Sequence, residues 1–260
     1  MIRSKIDFQE VTETSNSFVS EEQIIRMENR YNWASSLSKS KDVIEVACGT
    51  GQGLSLIQKN ANSLKACDIS AEMISIAKEV YREDSIEFHV SDAKILPFSD
   101  NSADIIILFE AIYYLDDITK FMTEVIRVLR PNGELLISTA NSDLYDFNPS
   151  PHSTKYFGVK DLYDLLSEYN FKVELFADLS LRNMTIKQKL FRFIKYLAVR
   201  LRLMPKTMRG KKIFKKIVFG DLIQMPYKLN PNTNFNGFNK IIPKPNFSYK
   251  VILAKAKLNS

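Results

Sequence analysis

Cysteine and histidine each occur only twice in this 260-residue chain, and tryptophan once. Two of each cannot furnish a zinc site of the usual composition, and two cysteines do not make a disulfide framework. Cys48 and Cys67 read as small buried residues near strand ends, which fits a reducing cytoplasm. No apolar run approaches the roughly 18–20 residues that a membrane span needs. The first residues, Met1 to Asp7, contain no apolar core, so no signal peptide is expected. No internal repeat is visible at any period. Acidic residues are missing from the whole stretch between Asp178 and Asp221, which holds thirteen Lys or Arg from Arg182 to Lys216. The net charge is +6, so the rest of the chain is acidic overall. A uniformly basic surface is thereby excluded; the pattern is an acidic body with one basic segment.

What is present is a regular alternation of elements. Apolar spacing predicts a helix over 20–37, with Ser20 as N-cap. Short apolar strands are expected at Val43–Ala47, Leu64–Cys67, Ile86–Val90, Ala103–Phe109 and Glu134–Thr139. Helices fall between them at Gly51–Lys59, Ala71–Arg82 and Asp117–Leu129, the last stopped by Pro131 and Gly133. A further helix, Val159–Tyr169, is followed by strands at Phe171–Phe176 and Tyr249–Lys257. Near-continuous apolar strands alternating with helices imply an α/β fold whose mostly parallel sheet is covered on both faces. About seventy residues separate the last two strands, too many for a loop in a compact domain. They are expected to form an inserted basic helical cap, with an irregular Asn/Pro-rich stretch at 230–246. The expected organisation is a lid helix at 1–40, a catalytic domain at 41–179 and 249–260, and the cap at 180–248.

The sharpest motif runs from Val43 to Gly53, where a strand ends, glycines follow and a helix starts. Glycine allows a tight turn and lets a ligand approach the backbone. The spacing Gly49-x-Gly51-x-Gly53 differs from the dinucleotide pattern, which would need glycine where Leu54 stands. Asp68, at the end of the second strand, is placed to accept both hydroxyls of a ribose. Asp92 and Ala93 follow the third strand, where a side-chain oxygen can accept from an adenine amino group. Three such features, in order on one edge of one sheet, point to an adenosine cofactor.

Glu45-Val-Ala-Cys-Gly-Thr-Gly51, Asp68-Ile-Ser and Asp92-Ala-x-x-Leu96-Pro-Phe98 resemble motifs of the class I S-adenosylmethionine-dependent methyltransferases. So do Phe109-Glu-Ala-Ile-Tyr-Tyr-Leu115 and Glu124-x-x-Arg127-Val-Leu-Arg-Pro-Asn-Gly133. The resemblance covers about residues 20–176 and 249–257. It implies a Rossmann-like seven-stranded sheet with an antiparallel last strand, with Phe171–Phe176 and Tyr249–Lys257 as the final hairpin, and S-adenosyl-L-methionine as cofactor. It further implies a cofactor site of Tyr31, Glu45, Ala47, Gly49, Gly51, Asp68, Ile69, Met73, Asp92, Ala93 and Phe109, with Glu45 orienting the glycine loop and Phe109 bordering the sulfonium. Ala47 is a departure, since many members have glycine there. Asn29-Arg30-Tyr31 resembles a helix of relatives acting on cell-surface sugars, which would lid the methionine end of the cofactor. The alternative is a solvated Arg30 and a packing Tyr31.

Candidate catalytic groups lie at the mouth of the sheet. A sugar hydroxyl as acceptor needs a base, whereas a deprotonated amine does not. Glu110 is a candidate base, a substrate clamp or a cap of the next helix. Tyr113 and Tyr114 follow it. His152 lies in Asn148-Pro-Ser-Pro-His-Ser-Thr154, which resembles a loop of polysaccharide-associated methyltransferases; it suits base catalysis at neutral pH, or it is an exposed loop histidine. His89 reads as a packed core histidine. In the cap, Ile186, Leu190, Phe193, Ile194, Leu197, Leu201 and Met204 recur at helical spacing between basic residues. That pattern admits a helix packed on the body, a site for the pyrophosphate of a nucleotide sugar, or a peripheral membrane contact through 186–216 suited to a lipid-linked sugar. Nucleic acid ranks last, because no aromatic-interleaved RNA module is present. The function expected is methyl transfer to a small acceptor, a sugar hydroxyl or amine in cell-surface polysaccharide synthesis. The alternatives are a lipid or quinone-like acceptor at a membrane surface, and a non-catalytic cofactor-binding scaffold.

Overall fold

The computed structural model describes residues 15, 17–150, 152–182, 184–201, 222–231 and 235–259. The middle of the basic cap, 202–221, including Met204 and the charges from Arg202 to Lys216, therefore lies outside the described residues.

The described residues open with β1 (Phe18–Val19) and α1 (Glu21–Leu37). Ser20 and Gln23 form a reciprocal capping box at the start of α1, each accepting from the other's backbone N–H. Then follow β2 (Asp42–Val46), α2 (Leu54–Gln58), β3 (Ser63–Asp68), α3 (Ala71–Val80), β4 (Ile86–Val90), β5 (Ala103–Phe109) and α4 (Ile118–Val128). The second half comprises β6 (Leu129–Ala140), α5 (Val159–Glu168), β7 (Phe171–Ser180), α6 (Ile186–Arg200), β8 (Ile223–Gln224), β9 (Asn239–Ile241) and β10 (Tyr249–Leu258).

The main sheet has eight strands in the order β4-β3-β2-β5-β6-β10-β7-β9. Strands β2 to β6 run parallel, and β10 inserts antiparallel between β6 and β7. The antiparallel last strand is as expected. The eighth strand is new: three residues of the stretch read as irregular pair with Leu175–Ala177 at the sheet edge. A two-stranded β1–β8 sheet stands apart from it.

Alternation along the strands makes the two-layered core. Ile44, Ile106, Leu108, Leu135, Ile137 and Ile252 face α4 and α5. Their neighbours Val43, Ile105, Ile107, Leu136, Val251 and Leu253 face α1, α2 and α3. Period-two geometry sends consecutive side chains to opposite faces, so a strand buried on both sides must be apolar throughout. The range 180–248 is not uniform: Leu181, Met225 and Leu229 are buried, whereas most of α6 is exposed.

Three expected details change. The helix expected over Gly51–Lys59 is the short α2, because Gly51 and Gly53 belong to the preceding turn. The strand expected to start at Glu134 begins five residues earlier; a bulge between Ala103 and Ile105 absorbs the Pro131–Gly133 kink, and the ladder continues across it. His89 is not a core residue: β4 is an edge strand, and the half-exposed imidazole bonds Glu87 at 2.6 Å and meets Phe98 edge-on.

Candidate active site

The carboxyl ends of β2, β3, β4 and β5 open on one edge of the sheet, where α/β folds bind ligands. After β2 the backbone turns through left-handed residues at Ala47, Gly49 and Gly51, with φ of 57°, 57° and 77°. Ala47 occupies a conformation that glycine adopts without strain, which is the physical content of its departure from the motif. Cys48 N–H bonds the Cys67 carbonyl, so the loop stays zipped to β3. Asp68 takes the Gly49 N–H on Oδ2 and the Ser70 N–H on Oδ1, both at 2.9 Å. Burial raises its carboxyl above the usual range, and these backbone donors oppose that rise.

Sequence reasoning missed the support for this loop. Tyr81, the C-cap of α3, donates its hydroxyl to the Gly51 carbonyl at 2.7 Å and accepts from Ser55 N–H. A tyrosine at a helix end reads as ordinary packing, and the contact joins residues thirty positions apart.

From the opposite side, α1 lays Tyr31 flat on Gly53; a Cβ there would meet the Tyr31 ring at 2.2 Å. The Tyr31 hydroxyl donates to Glu45 Oε1 at 2.5 Å. Glu45 is buried, and desolvation pushes its carboxyl up to about 7 even though Tyr31 and Arg30 favour the charged form. Its second oxygen, Oε2, is buried without a hydrogen-bond partner among the described residues. Such an atom beside a glycine turn is a vacant acceptor for a ligand's donor. Phe109 closes this wall, edge-on to Tyr31 at 5.4 Å and near-parallel to Trp33 at 6.5 Å. The Arg30 guanidinium lies 6.0 Å from the Phe109 centroid and 3.8 Å from Glu110, so Arg30 is a buried member of the cluster and not a solvated charge.

Replacing Gly53 by Ala should therefore dislodge Tyr31 and break its bond to Glu45. The cost expected is about 1–3 kcal/mol, by thermal or denaturant unfolding. In a Tyr31→Ala background the same Gly53→Ala change should cost little, since the clashing ring is gone; a Gly53→Ala chain as stable as the parent contradicts the packing.

Glu110 follows β5 with φ of 52°, a strained value for a side-chain-bearing residue. Its N–H bonds the Ser138 carbonyl, and its carboxylate accepts from Ser138 Oγ at 3.1 Å and Tyr113 OH at 3.3 Å. Ser138, on the next strand, is a second contact that the sequence did not reveal. Tyr114 is half-buried against Tyr113, and its hydroxyl lies 3.5 Å from Ser150. The His152 loop crosses this turn, with Thr154 N–H bonded to the Tyr113 carbonyl; His152 itself is exposed.

The Asp92 side of the site is less enclosed. Asp92 accepts from the Lys94 N–H on Oδ1 and pairs with Lys94 Nζ through Oδ2. Ala93 is buried beneath it. Ile69, next to Asp68, is 53% exposed, an apolar surface at the rim that a flat base would cover. Met73 is buried in the first turn of α3, its N–H bonded to Ser70 Oγ. Among the described residues no group of His, Cys, Asp and Glu could hold a metal ion.

Residues 44–137 match the family described as a methyltransferase domain. A protein of Mycolicibacterium smegmatis named as a probable S-adenosylmethionine-dependent methyltransferase is 30% identical over 138 residues, 52% of this chain and 53% of its own. With its sheet order and glycine turn, the matched segment resembles the class I S-adenosylmethionine-dependent methyltransferases. S-adenosyl-L-methionine, the cofactor in that relative's name, is the one the matched segment implies. The phthiotriol/phenolphthiotriol dimycocerosates methyltransferase of Mycobacterium tuberculosis is 36% identical over 95 residues, 36% of this chain and 35% of its own. The chain thus spans about half the length of the first of these relatives and about a third of the second. Two solved structures share the fold. The YcgJ protein of Bacillus subtilis superposes with a TM-score of 0.57 at 16% identity, over 89% of this chain and 98% of its own. The [4+2]-cyclase SpnF gives 0.61 at 17%, over 95% and 88%. The left-handed glycine turn, the carboxylate of Asp68 and the vacant Glu45 oxygen all fit this cofactor.

Proposed function

We propose that the chain transfers the methyl group of S-adenosylmethionine to a small acceptor, a sugar hydroxyl or amine in cell-surface polysaccharide synthesis. The observation that carries methyl transfer is the joining of two clusters. Asp68 bonds the glycine turn at the end of β3, and Glu110, tethered by Ser138 and Tyr113, follows the end of β5 on the same edge of the sheet. When bound, the cofactor supplies an electrophilic methyl on a positively charged sulfur. Asp68 would accept the ribose hydroxyls, and Asp92 the adenine amino group. Tyr31, Phe109 and Trp33 form an apolar wall that keeps water from the reacting end. Glu45 and Arg30 would hold the methionine portion. Alignment is most of the catalysis in a displacement of this kind. For a hydroxyl acceptor, Glu110 is the group placed to take the proton, with His152 the second candidate on the overlying loop.

The sugar reading is supported by the likeness of Asn29-Arg30-Tyr31 and of the His152 loop to polysaccharide-associated relatives. It carries with it a cytoplasmic setting and a nucleotide sugar or lipid-linked sugar as partner. A lipid acceptor is the second reading, favoured by the exposed apolar residues of α6 and by the M. tuberculosis relative, whose name is that of a methyltransferase acting on a lipid. Transfer of labelled methyl into a cell extract, partitioned between water and organic solvent, separates the two. Label in nucleotide-sized, water-soluble material is the expected result. Label confined to the organic phase replaces the sugar by a lipid or lipid-linked acceptor, and no label in either phase overturns methyl transfer.

A further inference from the structure

Among the described residues no helix is long and apolar enough to cross a membrane. α6 nevertheless leaves an apolar row uncovered: Ile186, Leu190, Phe193, Ile194, Leu197 and Leu201 are between 39% and 86% exposed. Their spacing of three and four residues places them on one face. The helix is held to the body from another side. Arg192 is ion-paired with the buried Asp146 and lies 4.7 Å from the Tyr145 centroid, while Tyr196 meets Tyr145 edge-on at 5.7 Å. Positions 192 and 196 lie roughly a third of a turn from the apolar row, so the clasp to the body leaves that row facing outward. Exposed Lys189 and Arg200 flank it.

We propose that this face of α6 docks on an anionic lipid surface, with the apolar row entering the interface and the basic residues meeting the headgroups. Apolar and cationic faces on one helix are what interfacial binding requires. The charge of the segment selects the occupant. Lys189 and Arg200 beside the row, in a segment with no acid between Asp178 and Asp221, would bring like charges together against a second copy of this face, whereas an anionic bilayer complements them. The Arg192–Asp146 clasp ties α6 to the loop after β6, the loop that also carries His152, so docking would set the acceptor mouth against the membrane.

The test is co-sedimentation of the full chain with vesicles of phosphatidylcholine alone and of phosphatidylcholine and phosphatidylglycerol in equal parts. The chain should pellet with the anionic vesicles only, and added salt should weaken binding. Changing Phe193→Asp together with Leu197→Asp should cut the bound fraction about tenfold while the melting transition stays put, because both side chains are exposed. Lys189→Glu with Arg200→Glu should weaken binding as well. Three results overturn the proposal: no pelleting with anionic vesicles, pelleting that the Phe193/Leu197 changes leave intact, or a dimer in solution that those changes split. The readout needs no methyl acceptor, so its failure is separable from failure of the proposed reaction.

Discussion

Replacing Asp68 by Ala should weaken S-adenosylmethionine binding by about a hundredfold or more. Charge-assisted hydrogen bonds are worth about 1.5–3 kcal/mol each, and a ribose offers two hydroxyls to this carboxylate. The side chain also holds the glycine turn, through Gly49 N–H on one oxygen and Ser70 N–H on the other. Removing it frees two backbone donors, so a loss of about 1–2 kcal/mol of stability should accompany the loss of affinity. Asp68→Asn is the discriminating companion. It keeps one acceptor oxygen and most of the volume, so it should lose less stability than the Ala chain and still bind about tenfold more weakly. Calorimetric titration checks both. Affinity within threefold of the parent in the folded Asn and Ala chains would falsify the placement of the ribose.

The second large effect concerns Glu45 and pH. Burial raises its carboxyl to about 7 in the folded chain, against about 4.5 for an ordinary glutamate. A raised carboxyl holds its proton more tightly when folded. Its stabilising contribution is therefore complete below pH 4.5 and is lost as pH rises to 7. At about 1.4 kcal/mol per tenfold change in acidity, ionising it in the fold costs about 3 kcal/mol. Glu45→Gln is neutral at every pH, fills the same space and can still accept from Tyr31. It should match the parent near pH 4, and at pH 8 melt higher by about 6–10 °C in the absence of cofactor. The same change should weaken binding of the cationic cofactor, since it removes a buried negative charge from the site. A higher transition at pH 8 together with weaker binding would mark Glu45 as a position where stability is given up for binding. Melting curves at pH 5 and pH 8 decide it: an unchanged or lower transition at pH 8 contradicts the assignment.

Much of this could be read along the chain because the signals are local. Val43, Ile105 and Leu136 lie in runs whose period and apolar density declare buried strands, and Gly49, Gly51 and Asp68 sit where strand ends run into turns. What escaped is non-local or too short to have a period. β9 is three residues long, and its pairing with β7 is set by neighbours about sixty positions away. The Leu129–Gly133 stretch reads as a helix stop, and only the neighbouring strand reveals that the ladder continues through it. Tyr81 under Gly51, Tyr31 over Gly53 and Ser138 beside Glu110 are contacts between elements, which no spacing announces. The α6 pattern was visible as amphipathic, yet a wheel does not say which side meets the body; the Arg192–Asp146 pair does.

The fold alone does not decide the chemistry, since a neighbour of the same fold is described as a cyclase. The most direct test is parallel titration of the intact chain with S-adenosylhomocysteine and with NADH. The glycine turn, Asp68 and Glu45 predict saturable one-to-one binding of the first and none of the second. Binding of NADH, or no binding of S-adenosylhomocysteine by the folded chain, would contradict the account at its centre.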